Sequence, residues 1–289
     1  MHRPVFIGGA GRSGTTLAVD LLGTHEQLSP IYETWIVQQL LVTLGKRLPV
    51  EALRRAVVRD TRLWIQNHLM VQQHNKRAHE RYRHGPHHLC MTPQDVEARL
   101  AVFVRDLPGR PVLAFRQFIN GIFADHARRD GKPFWVNKTP IYARMAPALH
   151  TVWPGMLFVH CVRDGRDVAA SVLTRSWGPS TWVEAAHWWA GAVKAAQAFG
   201  QAHPEAYVEL RYEDVLGQPR QAVAATLSRM SLGGTDALLA RYTENGFAFD
   251  PARSGAWKKA DPEGVLAFEE IYGDLLQQLG YPLSTAPTP

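Results

Sequence analysis

The sequence predicts an α/β fold in which a central parallel sheet is flanked by helices on both faces. Three observations carry that reading. Short apolar runs of strand length recur at Val5–Ile7, Phe134–Val136, Met156–Val162 and Ala206–Leu210. Stretches of helical periodicity separate them, the pattern left by parallel strands joined through crossover helices. The clearest run, Met156–Val162, is continuously apolar apart from His160, as a buried strand should be. A chain of 289 residues suits one large domain with a full core and is short for two. We read a single domain over residues 1–283 and a disordered tail over 284–289.

The elements follow in order. Val5-Phe6-Ile7 ends in Gly8-Gly9, a strand entering a tight turn. Thr15–Leu22 is a helix closed by Gly23. Ile36–Val71 is amphipathic and helical, with a break near Gly45 and Pro49. Between Gln72 and His88 polarity rises, and Lys76, Arg77, Arg81, Arg83, His84, His87 and His88 mark a solvated loop. Thr92-Pro93 reads as an N-cap followed by proline at the first helical position, opening a helix to about Asp106. Further helices are expected at Ile141–His150, Arg166–Thr174, Thr181–Gln201, Gln218–Met230 and Pro262–Leu279.

Composition narrows the classes. With 46% hydrophobic and 20% charged residues the chain is globular. No run approaches the roughly 18 apolar residues of a membrane span. The charge of +6 favours anionic partners. No basic run is interleaved with aromatics, so nucleic acid is not the expected partner. Cys90 and Cys161 cannot form a disulfide framework or a metal site. No metal-ligand spacing occurs elsewhere, and His84, His87 and His88 are irregularly placed, so no metal is expected. No basic-then-apolar secretory segment precedes the first strand, and the cytoplasm is the expected compartment.

Ligands of open parallel sheets bind beyond the carboxyl ends of the strands, which brings together Gly9–Thr16, Asn137–Pro140 and Arg163–Asp167. The first loop, Gly9-Ala10-Gly11-Arg12-Ser13-Gly14-Thr15-Thr16, lines up backbone N–H groups at a helix N-terminus, a site for phosphate. It is P-loop-like but departs from G-x-x-x-x-G-K-[ST] at the decisive position, where Thr15 replaces the lysine. The cation is Arg12, inside the loop. In the second segment, Arg163 ends a strand and Ser171 lies two helical turns on, with Arg175 one turn further. A guanidinium fork and a hydroxyl can grip a second phosphate. The plainer alternative is that Arg163 and Asp164 form an internal ion pair and Ser171 is a packed helix residue.

Pro4-Val5-Phe6-Ile7-Gly8-Gly9-Ala10-Gly11-Arg12-Ser13-Gly14-Thr15-Thr16-Leu17 resembles the 5′-phosphosulfate loop of sulfotransferases that use 3′-phosphoadenosine-5′-phosphosulfate (PAPS), nearest the protein-tyrosine sulfotransferase branch. The resemblance implies a P-loop-like three-layer fold. It also implies that Gly11, Arg12, Ser13, Gly14, Thr15 and Thr16 hold the 5′-phosphate, with Arg12 stabilising the leaving phosphate. Arg163, Ser171 and Arg175 would hold the 3′-phosphate. Leu210-Arg211-Tyr212-Glu213-Asp214 is similar to a family segment that sets a tyrosine near the adenine, which gives that place to Tyr212. Arg253-Ser254-Gly255-Ala256-Trp257-Lys258-Lys259 loosely resembles a loop that closes over the 3′-phosphate, through Arg253, Ser254 and Lys258.

Sulfuryl transfer, like phosphoryl transfer, asks for in-line positioning and charge stabilisation. Lys138, in Asn137-Lys138-Thr139-Pro140, resembles the family lysine that contacts the transferring group, and Glu33 stands where the family carries its catalytic base. His25 and Glu26 are competing bases. The implied reaction moves the sulfuryl group from PAPS to a hydroxyl and releases 3′,5′-adenosine bisphosphate. The resemblance lapses across about residues 35–130, a largely helical insertion expected to build the acceptor side and a lid. Glu33-Thr34 is followed by Trp35-Ile36-Val37-Gln38-Gln39 rather than by arginines, which counts against an acidic peptide. A small aromatic, saccharide or lipid hydroxyl reached through Trp35, Trp64 and Phe118 suits the sequence, and the basic loop at Lys76–Arg83 keeps an anionic acceptor open. Neither the acceptor nor the oligomeric state can be read from these residues. The alternative enzyme is a P-loop-like kinase of a small-molecule hydroxyl, which would need Mg²⁺ and the missing lysine. A nucleotide-binding protein without catalysis is the alternative outside enzymes, and it would have no need of Glu33 or Lys138.

Overall fold

A computed structural model describes residues 3–69 and 92–284 of the chain. The basic and histidine-rich segment Lys76–His88, and Cys90, lie outside the described residues. Five strands, β1 (Val5–Gly9), β2 (Leu28–Ile31), β3 (Phe134–Lys138), β4 (Leu157–Val162) and β5 (Tyr207–Arg211), pair in the order β2-β3-β1-β4-β5. Every pairing is parallel, in a register that sets Ile7 opposite Lys138 and Gly9 opposite Cys161.

Both faces of the sheet are covered, as the apolar strand runs require. Along β1, Val5 and Ile7 enter one core and Phe6 the other, the two-residue alternation of a strand. The Val5 face is closed by α1 (Thr15–Gly23), α9 (Tyr212–Gly217), α10 (Pro219–Arg229) and α11 (Thr235–Glu244). The Phe6 face carries α5 (Pro111–Arg129), α6 (Tyr142–Val152), α7 (Gly165–Val172), α8 (Trp182–Ala202) and α12 (Pro262–Gln278). Between β2 and β3 the chain adds α2 (Ile36–Leu44), α3 (Val50–Trp64), a π-helical turn at Ile65–Leu69 and α4 (Pro93–Asp106) before α5. This is the expected helical insertion. Thr92 caps α4 in a reciprocal box with Asp95, as its sequence signals.

Three differences from the sequence reading have physical causes. Strand β2 is absent from it because Pro30 sits mid-strand. The strand is at the sheet edge, where a missing N–H costs no ladder bond, and Pro30 pairs in register with Val136. Helices α5, α9 and α11 have no range of their own in the sequence reading; α5 falls within the helical stretch expected over about 35–130, and α9 is a short turn of helix continuing straight from β5. Helix α7 stops at Val172, not Thr174, so Arg175 lies in the turn beyond it and does not share a helix face with Ser171. No helix among the described residues is long and apolar enough to cross a membrane.

Arg166 ties the second sheet face together. It is fully buried, and its guanidinium donates to Asp164 at 2.7 Å and to Glu269 of α12 at 2.5 Å. The Trp257 ring lies 3.6 Å from its central carbon. Asp164 therefore pairs with Arg166, not with Arg163. Removing one member of such a buried set leaves uncompensated charge. Arg166→Met should lower unfolding free energy by about 3 kcal/mol or more, read by urea denaturation; a loss under about 1 kcal/mol would show that the carboxylates find other partners.

Candidate functional site

Strand β1 delivers the glycine-rich loop to the carboxyl edge of the sheet. Two residues of the loop adopt left-handed backbone, Arg12 at φ 69° and Gly14 at φ 89°. Such turns point successive N–H groups to one side and form anion-binding concavities. Glycine is needed at 14 for space as well as for conformation: a Cβ there would lie 2.4 Å from Cδ2 of Tyr212, whose ring packs on the loop. Gly11 is equally confined, since its Cβ would fall 2.7 Å from the Trp188 ring. Ser13 and Thr15 are buried, and the Ser13 hydroxyl has no hydrogen-bond partner. Arg12 is exposed, and its Nε donates to Ser171 Oγ at 3.0 Å, which joins the two phosphate-type segments.

Neighbouring strand ends bring Glu33 and Lys138 together. Lys138 closes β3 and its side chain is 1% exposed. A buried ammonium needs partners, and it donates to Glu33 Oε1 at 2.5 Å and Thr16 Oγ1 at 3.2 Å. Glu33 remains 39% exposed, so its carboxylate is both paired and open to solvent. The segment carrying it is fixed from several sides. Asn137 donates to the Ile31 carbonyl at 3.1 Å, and Trp64 Nε1 donates to the Thr34 carbonyl at 2.5 Å. Tyr32 donates to Asp20 Oδ1 at 2.6 Å. Trp35 then takes left-handed backbone at φ 60°, a conformation that costs a non-glycine residue about 1 kcal/mol or more. The competing bases are engaged elsewhere. His25 is buried with Nδ1 accepting from the Gln27 N–H and Nε2 against the Gly233 carbonyl, and Glu26 pairs with Arg241 at 3.2 Å.

The second segment is held by its own arginine. Arg163 donates to the carbonyls of Arg12 at 3.2 Å and Arg253 at 2.8 Å, lies 3.4 Å from Asp167, and stacks 4.3 Å from the Tyr212 ring centre. Its buried Nε has no partner. Asp167, also buried, accepts from the N–H groups of Gly255 and Trp257 at 2.8 and 2.9 Å. The loop bearing Ser254 and Lys258 is thereby drawn to Arg12, Arg163 and Tyr212. Ser254 is half-buried; Lys258 and Arg175 are exposed.

The glycine-rich loop and the Glu33 segment border a cleft of about 610 Å³ lined by Gly9–Arg12, Thr15, Thr16, Glu33, Trp35, Gln38, Pro140, Ile141, Arg144, Trp177, Trp188 and Ala192, while Lys138, Arg163, Ser171, Tyr212, Ser254 and Lys258 are not among its lining residues. Trp35 lines it as expected. Trp64 and Phe118 do not: both are buried in the insertion, Trp64 bonded behind Glu33 and Phe118 stacked on Phe103. Five lining residues were not foreseen: Ile141, Arg144, Trp177, Trp188 and Ala192. None of them carried a signal in the sequence; Trp177 stands out only in the structure, as a large apolar residue 62% exposed. At the amino end of the sheet, away from this cleft, His150, His203 and Glu205 bring their ligand atoms within 4.8 Å of one another. The two imidazoles also lie against each other, 4.2 Å between ring centres and tilted by 41°.

Burial lifts the Asp20 carboxyl from its ordinary 3.8 to about 6, against the downward pull of the Tyr32 hydrogen bond and the Lys138 charge. Folded Asp20 thus binds its proton more tightly than the unfolded chain between about pH 4 and 6. Its contribution to stability falls as pH rises through that window and is constant above it. The stability difference between wild type and Asp20→Asn, measured by urea melts from pH 4 to 8, should therefore drop between about pH 4 and 6 and then level. A flat difference would show that Asp20 titrates normally.

Residues 4–235 match the model of the Sulfotransferase family. Comparison with curated protein sequences returns no match. Among solved structures, the chain is similar to the sulfotransferase domain of the olefin synthase of Synechococcus PCC 7002, at 18% identity and TM-score 0.59, covering 94% of this chain and 96% of that one. It is similar also to the sulfotransferase domain of the curacin biosynthetic pathway, at 17% identity and TM-score 0.57, covering 98% and 99%. The sulfotransferase STF9 of Mycobacterium avium aligns at 15% identity and TM-score 0.53, covering 99% and 79%. At these identities the structural likeness is one of fold, and the sequence match is to the family as a whole rather than its tyrosine-acting branch. A glycine-rich loop without the P-loop lysine, on a parallel five-stranded sheet, is what the family match leads one to find, and the chain belongs to the sulfotransferase family.

Proposed function

We propose that this sulfotransferase draws its sulfuryl group from PAPS and transfers it in line to a hydroxyl of a hydrophobic or aromatic acceptor, releasing 3′,5′-adenosine bisphosphate. One observation carries the reading: Arg12 of the phosphate-type loop and Glu33, bonded to Lys138, line the same cleft. The residues suit a nucleotide with two phosphate groups. Ser13 Oγ and Arg163 Nε are buried polar atoms without partners, one in each phosphate-type segment, and such atoms are costly unless something meets them. When bound, PAPS supplies a sulfuryl group already joined to a phosphate leaving group.

The roles are those the family resemblance implies, and the chemistry of each residue suits its role. Gly11, Ser13, Gly14, Thr15 and Thr16 hold the 5′-phosphate, and Arg12 stabilises the charge that develops on it. Arg163 with Ser171 receives the 3′-phosphate, supported by Ser254 and by the positive charge of Lys258 and Arg175. Tyr212 offers its ring to the adenine. Glu33 takes the acceptor proton as the new O–S bond forms and the bond from sulfur to the phosphate oxygen breaks. Lys138 orients Glu33 and offers its ammonium to the sulfuryl oxygens. Trp35, Trp177 and Trp188 supply apolar walls for the acceptor. A kinase reading is not favoured, since Thr15 fills the lysine position.

Calorimetric titration tests the donor site. The 3′,5′-adenosine bisphosphate should bind at least about tenfold more tightly than 5′-AMP, the scale of one charge-assisted contact; a preference for ATP–Mg²⁺ would replace the reading with a kinase. Glu33→Gln should lower kcat by about a hundredfold or more with bisphosphate affinity nearly unchanged. Collapse of nucleotide binding in that variant would remove Glu33 as the base. Arg163→Ala should weaken the bisphosphate far more than 5′-AMP, and equal losses would take Arg163 away from the 3′-phosphate.

A further inference from the structure

We propose that the acceptor carries a carboxylate as well as its hydroxyl, and that Arg144 receives it. The inference rests on the sulfotransferase reading of the cleft and names the acceptor class for that site. Three charged side chains line the cleft: Arg12, Glu33 and Arg144. The first two are accounted for by the leaving phosphate and the acceptor proton, and Lys138 already balances Glu33. Arg144 has no part in either.

Its placement is built. Arg144 stands in the first turn of α6, one turn after Ile141, and reaches across to α8, where one terminal nitrogen donates to the Trp188 carbonyl at 2.9 Å. The guanidinium lies against Gly191. A Cβ at that position would fall 2.5 and 2.8 Å from its two terminal nitrogens. Gly191 interrupts an alanine-rich stretch, Ala190 to Ala196, in the interior of a 21-residue helix. Glycine there costs about 1 kcal/mol relative to alanine, and the space it frees is the space the guanidinium fills.

No carboxylate among the described residues forms an ion pair with Arg144, whereas Arg54, Arg62, Arg99, Arg166 and Arg220 each meet one. The side chain is exposed at the cleft wall beside Trp188. A planar guanidinium anchored through one nitrogen keeps further donors for a carboxylate, which it can bind with two parallel hydrogen bonds. The walls around it are indole and aliphatic surface, from Trp35, Trp188 and Ile141. A hydroxylated aromatic acid answers all three features: the hydroxyl to Glu33, the ring to the tryptophans, the carboxylate to Arg144. This acidic group is single and fixed, unlike the run of acidic residues an arginine-rich peptide site would read.

The test uses the full chain loaded with 3′,5′-adenosine bisphosphate, titrated by calorimetry with 3-(4-hydroxyphenyl)propionate and, separately, with its primary amide. The acid should bind at least about tenfold more tightly than the amide, the size of a charge-assisted pair. Arg144→Met should erase that difference, and Arg144→Lys should restore part of it. Gly191→Ala keeps the charge but displaces the guanidinium, so it should weaken the acid selectively; unchanged circular dichroism and bisphosphate affinity separate this from misfolding. Equal affinities in the wild type, failure of both probes to bind, or an acid preference that survives Arg144→Met would each overturn the proposal. Loss of bisphosphate affinity in Arg144→Met would do so as well, by assigning the residue to the nucleotide. The nucleotide titration itself is the separate check on the donor site: a protein that ignores the bisphosphate fails there, and the acid–amide comparison, repeated without nucleotide, still decides the role of Arg144.

Discussion

A lysine ammonium withdrawn from water at the end of a central strand is the constraint on which the site depends. Lys138 is 1% exposed, and a charge so placed is tolerated only when neighbouring groups meet it. Those groups come from two other elements, Thr16 at the start of α1 and Glu33 beyond β2. Meeting that demand draws three separate carboxyl-edge segments to one point. Everything around Glu33 then serves to hold it there: Asn137 on the Ile31 carbonyl, Trp64 on the Thr34 carbonyl, Tyr32 on Asp20. The strained backbone of Trp35 is the local cost, and it leaves the indole at the cleft.

Beside the cleft, the contact between the glycine-rich loop and the late loop is organised by Asp167 and Arg163. Asp167 is a buried carboxylate satisfied by two backbone N–H groups from a loop almost ninety residues later in the chain. Arg163 completes the clasp by donating to carbonyls of the glycine-rich loop and of that late loop. The groups that would meet a nucleotide are therefore the same groups that fix the loops around it. Such sharing makes pocket order and ligand binding one equilibrium, because a phosphate that engages Arg163 competes with its bonds to backbone oxygen.

Much of this was legible in the chain. Apolar runs and the helices between them announced the parallel sheet, since burial on both faces leaves an unbroken apolar signature. Gly11-Arg12-Ser13-Gly14-Thr15-Thr16 after a strand announced a tight turn into a helix, and the structure sets that loop against Ser171 of the second segment. Other features were hidden for reasons that can be named. Pro30 disguised an edge strand. Trp64 and Phe118 looked like cleft residues because sequence records hydrophobicity and not the direction a side chain faces; both went to the core, while Trp177 and Trp188 went to the cleft. Arg175 was placed on a helix that ends three residues before it.

The sequence by itself determined the layer architecture, the two strand-to-helix segments at the carboxyl edge and the residue types available for chemistry, because these depend on local periodicity and on motifs contiguous in the chain. Only the tertiary structure decided which side chains meet. Glu33 and Lys138 are 105 residues apart and bond at 2.5 Å; Arg12 and Ser171 are 159 apart and bond at 3.0 Å; Arg144 finds its seat on Gly191 of another helix. Contacts of that kind follow from strand order and helix packing. They are settled by how the whole core fills space, which no local stretch of sequence encodes.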